Sequence, residues 1–200
     1  RYLARTPRVA LLAASKPMMG LSTGVVGIVP IAAAGLSPDD HDLVTGILFS
    51  ARGAGALLGT LGARALVPDD PWAMRRALTA GYLAMGLGWG LVAVSLAAGA
   101  GPAIGMLGFL ASAAGSGSIW VFSSTLLQTE ADRRYHGRVF AAEFGVMTLV
   151  FAGSSWLSGA LVDLGWAPPA VFAAAAAAAA VGLAVWVRAL ASRARLAPST

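Results

Sequence analysis

Cysteine is absent from this chain of 200 residues. That excludes disulfides and thiolate metal sites, and it leaves no handle on redox compartment. Charge is scarce: Asp, Glu, Lys and Arg make up 12% of the residues, against about 25% in soluble domains. Histidine occurs twice, at His41 and His136, in connections expected on opposite sides of a membrane. A buried nucleophile therefore has no histidine base within a span, and the glycine-flanked serines of GSGS at residues 115–118 do not make a protease site. Two such histidines and the loop aspartates Asp39, Asp40 and Asp42 make no metal centre; the aspartates are expected to cap the following helix. No glycine-rich phosphate loop ending in Lys-Ser or Lys-Thr is present. The chain is therefore not expected to be an enzyme or to need a cofactor. No signal peptide precedes the first apolar run and the sequence opens on Arg1 without Met, which is expected of a fragment of a longer chain.

What is present in excess is hydrophobicity, 58% of residues with a mean hydropathy of +0.75. A surface of that composition faces lipid. Six apolar runs, at about 9–34, 44–67, 75–98, 102–129, 138–162 and 168–190, are each near the roughly 20 residues a bilayer requires. Turn formers fill the gaps: GLSPDDHD, VPDDPWAM, GAGP, EADRRYHG and DLGWAPP. The runs lack period-two alternation, so a β-barrel is excluded. The expected fold class is all-α and integral to the membrane, one domain of six transmembrane helices. The alanine run at 173–180 reads as a bland peripheral stretch of the sixth.

The cations fix an expected orientation. Arg1, Arg5 and Arg8 precede the first span; Arg64, Arg75 and Arg76 lie between the second and third; Arg133, Arg134 and Arg138 lie between the fourth and fifth; Arg188, Arg193 and Arg195 close the sixth. The other three connections contain none. By the positive-inside rule both termini are cytoplasmic. The net charge of +5 thus follows topology, and a nucleic-acid partner is not expected.

Two cations remain, Lys16 and Arg52, each roughly 12 Å from a helix end at 1.5 Å per residue. A charge near mid-membrane is expensive and marks a functional position by default. Ala51, Gly55, Gly59 and Ala63 form a ridge of small residues that lets a neighbouring helix approach, and it turns Arg52 inward. Lys16 shares a face with Gly20, Thr23 and Gly27, and Pro17 is expected to break that helix beside it. Lys16 then either lines a cavity or snorkels to the cytoplasm; Arg52 either lines a cavity or forms a structural ion pair. The fourth span carries a polar stripe of Gly105, Gly108, Ser112 and Ser116, followed by Ser123, Ser124, Thr125 and Gln128. Glu143, about two turns into the fifth span, is expected to pair with cytoplasmic arginines, as a gate or an anchor, the alternative being a proton-carrying role. On that expectation the two inward cations lack anions within this chain. An anionic substrate or helices outside the chain would supply them.

Three segments carry a resemblance. GALLGTLGARALVPDDPWAMRRAL, residues 55–78, resembles the loop between the second and third helices of a six-helix half in the major facilitator superfamily. Gly59 stands for its glycine, Arg64 for its arginine, and Arg75 and Arg76 for its basic pair; Ala63 replaces the aspartate, and VPDDP lengthens the loop. LLQTEADRRYHGRVFAAEF, residues 126–144, is similar to the segment joining the fourth and fifth helices in the exporter branch that includes siderophore and macrolide efflux proteins, with His136 where arginine is common. GALVDLGW, residues 159–166, resembles the end of the fifth helix. The resemblance implies the C-terminal half of a twelve-helix transporter in a bacterial plasma membrane, with an N-terminal six-helix half as its partner. It implies small-molecule export by alternating access, driven by protons, with substrate held near the midplane. Lys16, Arg52, Thr23, Ser112 and Ser116 are then the expected substrate path. Gly59, Arg64, Arg75, Arg76, Gln128, Arg138 and Glu143 are the expected cytoplasmic gate. The rival expectations are a scaffold or sensor using the same fold, and a complete six-helix protein that pairs with itself.

Overall fold

The computed structural model describes residues 2–194, with side chains through residue 191. Arg1, Arg195 and the side chain of Arg193 lie outside the described residues. The helices are α1 (Tyr2–Arg5), α2 (Pro7–Thr23), α3 (Val29–Leu36), α4 (His41–Leu66), α5 (Pro71–Ala98), α6 (Pro102–Glu130), α7 (His136–Asp163) and α8 (Pro168–Ala194). Short 3₁₀ turns occupy Gly24–Ile28 and Arg133–Tyr135. With α2, that first turn and α3 counted as one span, six helices are long and apolar enough to cross a bilayer, which marks an integral membrane protein. All six expected runs fall on these helices.

Three local expectations change. The first span does not break at Pro17, through which α2 runs as regular helix; the interruption lies at Gly24–Ile28. Its cause is Pro30, which has no N–H to give the carbonyl of Val26. That carbonyl instead accepts from the N–H of Val29, one residue closer, and the helix tightens into 3₁₀ geometry. The third span begins at Pro71 rather than 75, because the Asp70 carboxylate accepts from the Ala73 N–H at 2.6 Å and Pro71 takes the first helical position. Arg75 and Arg76 are therefore helical. Asp40 stands at the N-cap position of α4, yet its side chain makes no capping bond.

The helices form an arc. α6 packs between α4 and α5; α5 packs on α8; α2 packs between α8 and α7; α2 and α6 touch across the middle. This pattern repeats within itself. Exchanging α2 with α6, α4 with α7 and α5 with α8 turns the α4–α6 and α5–α6 interfaces into α7–α2 and α8–α2 and returns α5–α8 and α2–α6 to themselves; the packing of α3 on α4 has no equal counterpart. Because equivalent helices are three spans apart in the chain, the second triplet runs through the bundle in the opposite sense. α4 and α7 occupy equivalent places at the two ends of the arc.

Backbone contact holds the α4–α6 side. A Cβ on Gly55 would lie 2.2 Å from the Leu110 carbonyl oxygen, and one on Gly59 would lie 2.1 Å from that of Ala114. Ala51 and Ala63 are buried with them, so the expected ridge is the packed one. Trp89, Phe109 and Phe172 form an aromatic knot where α5, α6 and α8 meet. Tyr82 on α5 donates to the Ser15 carbonyl of α2 at 2.7 Å, and Trp186 on α8 donates to the Thr79 hydroxyl at 3.1 Å. These two bonds tie α5 to α2 and to α8, while the buried Trp89 N–H has no hydrogen-bond partner among the described residues.

Candidate functional site: a cavity between α2, α4, α6 and α7

The arc leaves a groove between its two ends, and α2 and α6 form its back. A cavity of about 390 Å³ lies there. α4 presents Arg52, Ala56 and Thr60, one residue per turn of one helix stripe. α2 contributes Met19, Gly20 and Thr23, and α6 contributes Ser116, Gly117 and Trp120. α7 closes the far wall with Met147 and Phe151. Every one of these residues lies in the middle turns of its span, the first span being taken as Pro7–Leu36.

Arg52 is half-buried, and its Nη1 is buried with no hydrogen-bond partner. Among the described residues no carboxylate lies within ion-pair distance of it. The hydroxyls near it are differently placed. Thr23 donates to the Met19 carbonyl at 2.8 Å and Ser116 to the Ala113 carbonyl at 3.0 Å. Both protons are spent inside their own helices, so these oxygens offer the cavity only lone pairs.

Lys16 lies one turn below Met19 and Gly20 on α2. Its Nζ is 3.1 Å from Oε2 of Glu143 on α7, and both residues are buried. The ammonium also sits 4.7 Å from the centroid of Trp120 and 5.9 Å from that of Phe140. Trp120 is thus shared: one side meets the ion pair, and its ring lines the cavity. Oε1 of Glu143 has no hydrogen-bond partner.

Glu143 accordingly pairs with Lys16, not with arginines at the helix ends, and Lys16 does not lack an anion. The helical rise alone places Glu143 closer to the helix ends than Lys16. A helical side chain leans toward its own N-terminus, however. The long lysine stem reaches back along α2 to the level of Glu143. Only Arg52 keeps the unmet charge expected of both.

Thr23, Ser116 and Arg52 come together at the cavity, with Lys16 behind Trp120. Ser112 does not join them. It faces α5, where a Cβ on Gly88 would lie 2.4 Å from its backbone nitrogen, and its hydroxyl bonds the Phe109 carbonyl. The stripe on α6 therefore divides: Gly105 meets Leu36 of α3, Gly108 and Ser112 pack on α5, and Ser116 turns to the cavity. Gly59 is a packing residue of the α4–α6 interface. Arg64, in the last turn of α4, is exposed, as are Arg76 and Gln128. Arg75 pairs with Glu130, joining the start of α5 to the end of α6. Arg138 is exposed and, with Arg5, borders a recess of about 450 Å³ under the stacked rings of Tyr2 and Tyr135. The Tyr2 hydroxyl accepts from the Asp132 N–H at 3.0 Å.

Sequence reading missed the walls. Phe140, Met147 and Phe151 share one face of α7 with Glu143, which was singled out, at intervals of three and four; that spacing was the available signal. Trp120 had the same relation to Ser116. Glu130 was missed because a carboxylate at a helix end is ordinarily solvated. Comparisons of the chain with family models, curated proteins and solved structures return no match, so the geometry and the sequence carry the functional argument.

Proposed function

We propose that the chain is one six-helix half of a secondary active transporter, a proton-driven exporter of a small molecule that works by alternating access. The observation that carries this is the mid-helix cavity with the unpaired guanidinium of Arg52 in its wall. A charge at that depth is retained where it meets a substrate or an ion path. Two further features support it. The repeated contact pattern, with one triplet inverted against the other, is the construction of major facilitator halves, in keeping with the resemblance at residues 55–78 and 126–144. The groove between α4 and α7 opens to one side, where a second six-helix bundle would close it. In this proposal the basic ends of the helices face the cytoplasm of a bacterial cell. Arg75–Glu130 and the Tyr2–Tyr135 stack then brace the side where the gate opens.

Flux in reconstituted vesicles tests this. With a pH gradient imposed, the intact protein is expected to move its substrate, and Arg52→Gln to lower that flux at least about tenfold while inserting normally. Wild-type flux in the variant would remove Arg52 from the path, and flux indifferent to the gradient would remove proton coupling.

A further inference from the structure

The cavity has a chemistry more specific than "small molecule". Its charge inventory is short. Lys16 and Glu143 neutralise one another behind Trp120. Every Asp, and Glu130, lies in a connection or at one end of a helix, Asp42 in the first turn of α4 and Glu130 and Asp163 at the ends of α6 and α7. The one uncompensated charge at the cavity is Arg52, among the described residues, and its buried Nη1 still holds an unused donor. Leaving a buried guanidinium N–H unpaired is costly, and a ligand oxygen removes that cost. The hydroxyls of Thr23 and Ser116 accept but do not donate. The remaining wall is apolar, polarisable and aromatic: Met19, Met147, Phe151 and the Trp120 ring.

Resting on the transport reading of the same cavity, we infer that it takes an amphipathic organic monoanion. The carboxylate or sulfonate sits on the Arg52 guanidinium, and an aromatic or branched apolar body lies between Trp120, Phe151 and the two methionines. A dianion is disfavoured, because Lys16 is committed to Glu143 and a second negative charge finds no partner. A cation is disfavoured by Arg52 itself. A hydroxyl or amide N–H on the body finds acceptors in Thr23 and Ser116. The cavity volume of about 390 Å³ suits a ligand with one or two rings.

The test is equilibrium dialysis of the intact protein in phosphatidylcholine nanodiscs, corrected against empty discs. Three probes share one ring system: 1-naphthoate, 1-naphthalenemethanol and 1-naphthylmethylammonium. Naphthoate is expected to bind saturably and about tenfold or more tighter than the alcohol, with no saturable binding of the ammonium. Arg52→Gln is expected to bring naphthoate down to the level of the alcohol and leave the alcohol unchanged; Arg52→Lys is expected to recover part of the loss. Absence of saturable naphthoate binding, equal binding of all three probes, or naphthoate binding unchanged in Arg52→Gln would each overturn the assignment. The wild-type ranking of the three probes decides the matter even where a variant fails to fold. The transport reading fails separately: saturable naphthoate binding without naphthoate flux in vesicles leaves the anion site and removes transport. Flux of the ammonium with no binding of naphthoate leaves transport and removes the anion site.

Discussion

At the scale of single residues, two intramembrane cations that look equivalent in sequence have different fates. Lys16 is neutralised inside the bundle and Arg52 is not. Removing one member of a buried pair leaves the other without compensation, at about 3–5 kcal/mol, whereas replacing both by apolar residues is close to neutral. Lys16→Met and Glu143→Leu are each expected to lower unfolding stability by that amount. The double variant is expected to recover most of it, as read from denaturant titrations in detergent micelles. Additive losses would show that the two side chains do not depend on one another. Arg52→Gln is expected to leave stability nearly unchanged, because no protein group loses a partner. The depth of both cations was legible from helical rise. The pairing was not, because it depends on the lean of a side chain and on which helix stands next to which, and neither is written in one helix.

At the scale of elements, α4 separates glycines that pack from glycines that do not. Gly55 and Gly59 meet the α6 backbone, while Gly53 and Gly62 have nothing within 4 Å of a Cβ. Gly59→Ala is expected to force the helices apart and destabilise by about 1–3 kcal/mol. Gly53→Ala adds a methyl group to an open face and is expected to be neutral, or to stabilise by up to about 1 kcal/mol through backbone entropy. Thermal unfolding of the two variants side by side separates these outcomes. The spacing of four from Ala51 to Ala63 identified the packed ridge from sequence alone, since periodicity is a property of one helix. The start of α5 was misplaced by four residues because the Asp70 cap and Pro71 count for more than hydropathy at a helix end. The interruption of the first span was assigned to the wrong proline. Pro17 gives up one backbone bond without ending α2, and the effect of Pro30 shows only in the bond Val29 makes instead.

At the scale of the whole molecule, the arc has two kinds of apolar outer surface, one facing lipid and one bordering the groove. The absence of cysteine from this chain makes them separable, since a thiol introduced here is the only one among its 200 residues. Ser116→Cys lies at the cavity, and Leu83→Cys lies at a comparable depth on the outer face of α5, where Leu83 is 47% exposed. A membrane-impermeant maleimide is expected to label the first at least about tenfold faster, because water reaches the cavity and not the lipid face. Equal rates would mean that the groove is filled with lipid. The six-span architecture was legible in the sequence because length, hydropathy and charge asymmetry act along the chain. The cavity was legible only in part, at Arg52, Thr23 and Ser116, because its aromatic wall comes from α7 and joins the others only on folding.

α7 makes little contact except with the first span, and two polar clasps join them: Glu143 to Lys16, and the Ser154 hydroxyl to the Gly20 carbonyl at 2.8 Å. The clasps lie eleven residues apart on α7, about three turns. They work as a key in a keyway. A slide of α7 by one turn would break both at once and strand a buried carboxylate, whereas a roll or tilt about the line between them disturbs neither. The two clasps, with the close approach of Gly24 to Ser154 beside the second, resist a shift of α7 along its length.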